Sequence, residues 1–122
     1  MKRTYYAPMF FMALCAAVLG TALLAYSADV EEGKKLYGQI CATCHGQSGK
    51  GDGPGAAALN PKPRDHTDKE YMSKLSDDDL FKVIKNGGAS VGKSPLMPPW
   101  GSTLKDDQIK DVIAYVRTLC CQ

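Results

Sequence analysis

Apolar positions along this chain recur at helical spacing. Asp29 to Ile40 carries Val30, Gly33, Leu36, Tyr37 and Ile40 three and four apart, with Glu and Lys between them, which predicts one amphipathic helix. Ser76 to Lys85 places Leu80, Val83 and Ile84 on one face; Ser76 is the expected cap, Asp77 to Asp79 suit the positive N-terminal end, and Asn86-Gly87-Gly88 stops the helix. From Lys105 or Asp106 a last helix aligns Ile109, Val112, Ile113, Val116 and Leu119. Thr67-Asp68-Lys69-Glu70 has the spacing of a capping box and predicts a short helix through about Lys74. Between these lie two aperiodic stretches, Gly46 to Pro63 and Ala89 to Thr103, punctuated by Gly and Pro and expected to be long loops. No segment alternates with period two, so the expected class is all-α with three to four helices and long loops.

The first 27 residues read as a targeting segment. Lys2 and Arg3 open it, Met9 to Leu24 is uncharged and apolar or small, and Ala25-Tyr26-Ser27 offers small residues at the −3 and −1 positions of a cleavage site. The expected division is a signal peptide at 1–27 and one domain at 28–122. The alternative is an uncleaved anchor on the periplasmic face of the inner membrane, since Ala7 to Tyr26 is long enough to cross a bilayer. Cys15 follows Leu14, which does not suit lipoprotein processing, and reads as a small hydrophobe of the apolar run.

Without those residues, 13 basic side chains face 13 acidic ones, because the +2 formal charge of the full sequence rests on Lys2 and Arg3. A nucleic-acid partner would want a clustered basic face, and none is evident. The remaining 95 residues are few for a self-sufficient hydrophobic core, so a staple or a prosthetic group is expected.

Cys41-Ala42-Thr43-Cys44-His45 carries the chemistry. Cys-x-x-Cys-His is the attachment signature of c-type haem. On a helix, thiols at i and i+3 reach two vinyl groups on one porphyrin edge, and His at i+4 lies on the same side to ligate iron. The competing readings are weaker. A zinc site would need ligands from the distant His66, Cys120 and Cys121; a thioredoxin-like enzyme would need a strand–helix pattern; a plain Cys41–Cys44 disulfide is open to an exported protein, but the export signal and the following His45 favour haem.

For the sixth ligand a thioether is expected. Met97 stands among Pro95, Pro98 and Pro99, which restrict its backbone; Met72, the other methionine after residue 27, lies on a short amphipathic segment where core packing is the ordinary role.

These features together resemble the class I c-type cytochromes over essentially all of 28–122. The resemblance rests on an N-terminal helix ending in Cys-x-x-Cys-His-Gly, a Gly-Pro loop, a Met-Pro loop and a C-terminal helix ending Ala114-Tyr115-Val116-Arg117-Thr118-Leu119. Asn60-Pro61-Lys62-Pro63-Arg64-Asp65 and Ser94-Pro95-Leu96-Met97-Pro98-Pro99-Trp100-Gly101 look most like the small bacterial monohaem members. The resemblance implies a cytochrome c-like fold around one covalent haem c, with Gly33 and Tyr115 where the first and last helices cross. It also implies that the Pro54 carbonyl accepts from His45 Nδ1, although Gly55 to Ala58 add small residues to that loop.

Arg64 and Trp100 are candidates for binding the haem propionates; His66 reads as a surface residue, and Lys50, Lys85 and Lys93 as candidates for a docking ring. Adjacent Cys120 and Cys121 are expected to form an intermolecular disulfide or oxidation products rather than to bridge each other.

The expected function is that of an exported, non-enzymatic electron carrier ligated by His45 and Met97. Its implied partners are quinol-oxidising complexes, terminal oxidases or dehydrogenases. The rival readings are a haem enzyme or gas sensor with an open sixth position, for which Arg64 and His66 are the only distal candidates, and a subunit fixed in a larger respiratory complex.

Overall fold

A computed structural model describes residues 25–122; the apolar run Met9 to Leu24 lies outside the described residues. The first helix opens where Asp29 caps it, its carboxylate accepting from the amides of Glu31 and Glu32 at 2.9 and 3.1 Å. Helix α1 (Val30–Leu36) runs without a break through a π-helical turn (Tyr37–Cys41) into α2 (Ala42–His45). The helix thus continues past the expected Ile40 and includes the whole cysteine–histidine motif. The wider turn admits one extra residue per winding, which rotates Cys41 to His45 relative to the Leu36 face.

The 15-residue α5 (Asp106–Cys120) crosses α1. Close approach depends on Gly33: a β-carbon there would lie 1.9 Å from the carbonyl oxygen of Asp111. One turn further on, the rings of Tyr37 and Tyr115 meet edge to face at 5.1 Å, so both expected crossing residues lie at the crossing. The Asp111 side chain, buried at the same place, accepts from the Asp29 amide at 2.6 Å and from the Tyr26 hydroxyl.

Helix α3 (Lys69–Met72) is capped by Asp68, not Thr67. The Asp68 carboxylate accepts from the Tyr71 amide at 3.0 Å, while the Thr67 amide and hydroxyl are both captured by Asp65 at 2.7 Å. Helix α4 (Asp77–Asn86) has the expected Ser76 cap, closed reciprocally by Asp79, and stops at Gly87 with φ of 81°. Arg117 of α5 ties these helices together: its guanidinium donates to the carbonyls of Met72 and Leu75 at 2.8 and 2.6 Å and to the Asp77 carboxylate at 2.9 Å. Met72, Ile109, Val112 and Val116 are buried in one core cluster with Leu36, Tyr37 and Leu80.

Cys120 and Cys121 form a disulfide with each other, against the expectation of an intermolecular bond. Cys120 is the last helical residue and Cys121 has left helical geometry, which allows the adjacent side chains to meet. Among the described residues there is no strand, and no helix is long and apolar enough to cross a membrane.

Candidate functional site

The motif sits at the C-terminal end of a helix, where carbonyls run out of intrahelical partners. The Gly-rich loop supplies them. The amides of Gly51, Gly53 and Gly55 donate to the carbonyls of His45, Cys44 and Thr43 at 2.8, 3.1 and 2.8 Å. Alternate glycines are required because the loop lies against the helix end: a β-carbon at Gly53 would stand 2.4 Å from the Thr43 carbonyl oxygen. A loop that has no period of its own in the sequence therefore locks the motif in place.

Cys41 and His45 open onto a cavity of about 490 Å³, within the range of roughly 300–1,000 Å³ typical of ligand sites. Its walls include Leu80, Val83 and Ile84 of α4 and Val112, Ile113 and Val116 of α5. The helical faces read from periodicity converge here. Met97 lies on the opposite loop and lines the same cavity. It is held by main-chain bonds to the end of α4: Gly88 donates to the Met97 carbonyl at 2.9 Å, and Trp100 to that of Ile84 at 2.9 Å. Met72, fully buried, contributes to the wall, consistent with a packing role.

A smaller adjoining cavity of about 60 Å³ is lined by Cys44, Leu59, Leu96 and Trp100, and shares Cys41, His45 and Met97 with the first. Trp100 lines this smaller cavity, and Arg64 stands at the larger one with Lys62, Tyr71 and Lys93. Lys93 Nζ donates to the Tyr71 hydroxyl at 2.7 Å, and the Arg64 guanidinium lies 3.8 Å above the Tyr71 ring. These cations, the Lys93 bond foremost, hold the Tyr71 hydroxyl below its ordinary pKa. Lys93 had no more signal in the sequence than any isolated lysine.

Burial, with the Cys44 thiol beside it, pushes the Cys41 thiol up to about 12, so it is protonated at neutral pH. Cys41 and Cys44 are not disulfide-bonded. Burial also lowers the His45 pKa, partly opposed by its bond to Arg64, which favours the neutral imidazole a metal requires. His45 Nδ1 donates to the Arg64 carbonyl at 3.0 Å, leaving Nε2 as the nitrogen with a free lone pair.

That acceptor corrects the expectation of Pro54. Ala56–Ala58 form a 3₁₀ turn that carries the chain away, and it returns to the histidine only at Arg64. His66, expected at the surface, is drawn inward: its ring stacks on that of His45 with centroids 4.2 Å apart.

Two unpaired thiols and a neutral imidazole on one helical turn, a thioether across the cavity, apolar walls and a cationic margin suit a flat apolar macrocycle bearing carboxylates and iron. Among the described residues, no cluster of His, Cys, Asp and Glu offers a metal site without such a cofactor.

The sequence matches the family of cytochrome c oxidase, cbb3-type, subunit III over residues 28–116. It is 33% identical over 91 residues to the cbb3-type cytochrome c oxidase subunit FixP of Bradyrhizobium sp. strain ORS 278, covering 75% of this chain and 28% of that protein. The chain thus spans little more than a quarter of the length of such curated relatives. Cytochrome c6 of Pyropia yezoensis is 29% identical over 99 residues, with 81% of this chain and 79% of that protein aligned.

Among solved structures, the KustC0563 c-type cytochrome superposes with a TM-score of 0.60 at 30% identity, covering 72% of this chain and 96% of that one. A chain of the Kuenenia stuttgartiensis reducing HAO-like protein complex gives the same TM-score at 28% identity, with 75% and 43% covered. With the cysteine–histidine motif at the helix end and the cavity before it, the chain belongs to the c-type cytochromes of the cbb3-type subunit III family, and its cofactor is one covalently attached haem c.

Proposed function

We propose that this chain is an exported electron carrier, in which Cys41 and Cys44 form the thioether links and His45 and Met97 take the two axial positions. The observation that carries the reading is that Cys41, His45 and Met97 line one apolar cavity from two sides of the fold. When bound, haem c supplies a one-electron Fe(III)/Fe(II) couple. The protein's residues set its terms. Met97 offers a soft thioether, which favours the reduced metal, and the Arg64 carbonyl orients His45 through Nδ1 and strengthens it as a donor.

Arg64, Lys93 and Tyr71 are the groups we assign to the propionates. Were His45 and Met97 both to hold the iron, no coordination position would be left for a substrate. The open-site enzyme reading is disfavoured by His66, which lies on the His45 ring and so on the side of the motif's own ligand. Leu96, half exposed, and Pro98 form an apolar margin of the smaller cavity suited to brief contact with a redox partner.

We assign those partners to the class of quinol-oxidising complexes, terminal oxidases or dehydrogenases; the oxidase subunits among the relatives support the choice. The same relatives support a second reading, in which this domain is held within a larger respiratory assembly. Export to the periplasm rests on Lys2, Arg3 and the apolar run, with Ala25 to Asp29 exposed and outside any helix. Retention of residues 1–27 would instead place the domain on the periplasmic face of the inner membrane.

Optical spectra of the protein made in an exporting host test the assignment. The oxidised parent should show a near-infrared sulfur-to-iron charge-transfer band and resist carbon monoxide when reduced. Met97→Ala should lose the band and bind carbon monoxide, while Met72→Ala should keep the band. A band surviving in Met97→Ala refutes the ligand assignment, and ready carbon monoxide binding by the parent refutes the carrier. N-terminal sequencing of exported material should begin at or within a residue of Ala28; an intact Met1 in membranes favours the anchor.

A further inference from the structure

We propose that His66 is a positioning residue for the axial ligand: braced by Tyr37, its ring fixes the plane of the His45 imidazole and thereby tunes the haem iron. The inference rests on the assignment of His45 as a ligand.

An imidazole joins its backbone through an sp³–sp² torsion with a broad minimum, so local preference alone does not set its plane. The bond from His45 Nδ1 to the Arg64 carbonyl orients the ring from one edge, and a hydrogen bond tolerates a range of angles. A second contact, across the face, narrows that range. His66 provides it, with ring planes within 17° of parallel and centroids 4.2 Å apart. One segment, Arg64 to His66, therefore holds His45 by edge and by face.

The brace is itself held. The His66 amide donates to the Gly49 carbonyl at 2.6 Å, fixing the backbone. Tyr37, whose hydroxyl is hydrogen-bonded to His66 Nδ1 at 3.2 Å, is only 1% exposed and packs its ring on Tyr115 of α5. Burial raises the Tyr37 pKa well above the ordinary tyrosine value, so its hydroxyl stays protonated. A continuous set of contacts thus runs from α5 through Tyr37 and His66 to His45. A phenylalanine at position 66 would preserve the stack but leave the Tyr37 hydroxyl without this partner.

Removing a group that supports a metal ligand commonly costs about 10- to 100-fold in metal affinity or activity. Here the disturbance is rotational, and it also admits water to the His45 side, which favours the more charged oxidised iron. His66→Ala should therefore lower the midpoint potential, with the oxidised-to-reduced equilibrium moving by up to about tenfold, ~59 mV for one electron.

The test uses the holoprotein and reads the proton NMR shifts of the haem methyl groups in the oxidised state, which respond to the orientation of the axial ligands, together with the midpoint potential. His66→Ala should reorder the methyl shifts and lower the potential. His66→Phe and Tyr37→Phe each keep the stack but lose the bond that braces it, and both should move the shifts in the same sense as His66→Ala but less.

Shifts and potential unchanged in a folded His66→Ala protein would overturn the proposal. If that variant does not fold, Tyr37→Phe decides: displaced shifts support the brace and parent-like shifts overturn it. A His45→Ala protein that retained the parent's low-spin spectrum would instead overturn the axial assignment beneath it, so the two failures are distinguishable.

Discussion

Two glycines five residues apart on the first helical rod should respond to alanine with opposite signs. At Gly33 the added carbon would meet the backbone of α5, 1.9 Å from the Asp111 oxygen, 2.4 Å from its carbonyl carbon and 3.1 Å from the Val112 nitrogen. Ordinary contact starts at 3.4 Å, so the crossing must open by about 1.5 Å, and no flexible side chain can yield in its place. Overpacking costs about 1–3 kcal/mol, and a rigid carbonyl puts this case at the upper end. The better helix propensity of Ala returns about 1 kcal/mol, leaving a net loss of ~2 kcal/mol.

At Gly38 the nearest atom is the Gln47 side-chain oxygen at 3.7 Å, an ordinary contact with an exposed residue. Only the propensity gain of about 0.5–1 kcal/mol applies there. For a domain of 60–100 residues, 1 kcal/mol moves the midpoint by about 4–8 °C, so Gly33→Ala should melt about 8–16 °C below the parent and Gly38→Ala a few degrees above it. Far-ultraviolet circular dichroism of the oxidised holoproteins measures both. A Gly33→Ala midpoint at or above that of the parent would show that the α1–α5 crossing is not limited by this contact.

Arg117→Lys keeps the charge but loses the fork that reaches the Met72 and Leu75 carbonyls, and should cost about 2 kcal/mol in denaturant unfolding; an unchanged midpoint would mean those bonds contribute nothing. Ser76→Ala removes the α4 cap and should cost about 1 kcal/mol at neutral pH. That cap has an acid limit. Hydrogen bonds from the Ser76 hydroxyl and amide hold the Asp79 carboxyl below its ordinary pKa of 3.8, so its contribution is present above that value and fades as pH falls through the lower folded one. Asp79→Asn should accordingly be less stable than the parent near neutrality, and the gap should narrow in strong acid; a gap independent of pH would refute the ionic part of the cap.

The helices were legible because burial on one side leaves a trace at every third or fourth residue. Ile109, Val112, Ile113 and Val116 of α5 are all buried, as their spacing implies. Local competition was harder to read. Thr67 and Asp68 both stand at capping positions, but Asp is the stronger cap and Asp65 is near enough to occupy Thr67. The π-helical turn was illegible, since Tyr37 to Cys41 contains no residue that demands it. The Cys120–Cys121 bond depends on where a helix frays, which spacing does not define.

The candidate site divides along the same physical line. Cys41, Cys44 and His45 are chosen for side-chain chemistry at fixed spacing, and Met97 for a thioether in a proline-restricted loop, so each has a residue type to recognise it by. The acceptor for His45 Nδ1 is a main-chain carbonyl, which every residue possesses; its identity depends on which part of a 3₁₀-interrupted loop returns to the ring. Pro54 was the nearer position in sequence, and Arg64 is the nearer in space. Once Arg64 is fixed there, His66 follows two residues later, and its inward placement stems from the same return of the chain rather than from any apolar pattern of its own. Lys93 reaches Tyr71 across 22 positions for a similar reason, because the end of α4 and the Met97 loop are joined through Gly88. The proposed iron ligands are thus recognisable by a few residue types, whereas the groups proposed to orient them are placed by backbone closure, and substitutions at His66 or Tyr37 should shift the potential without replacing a ligand.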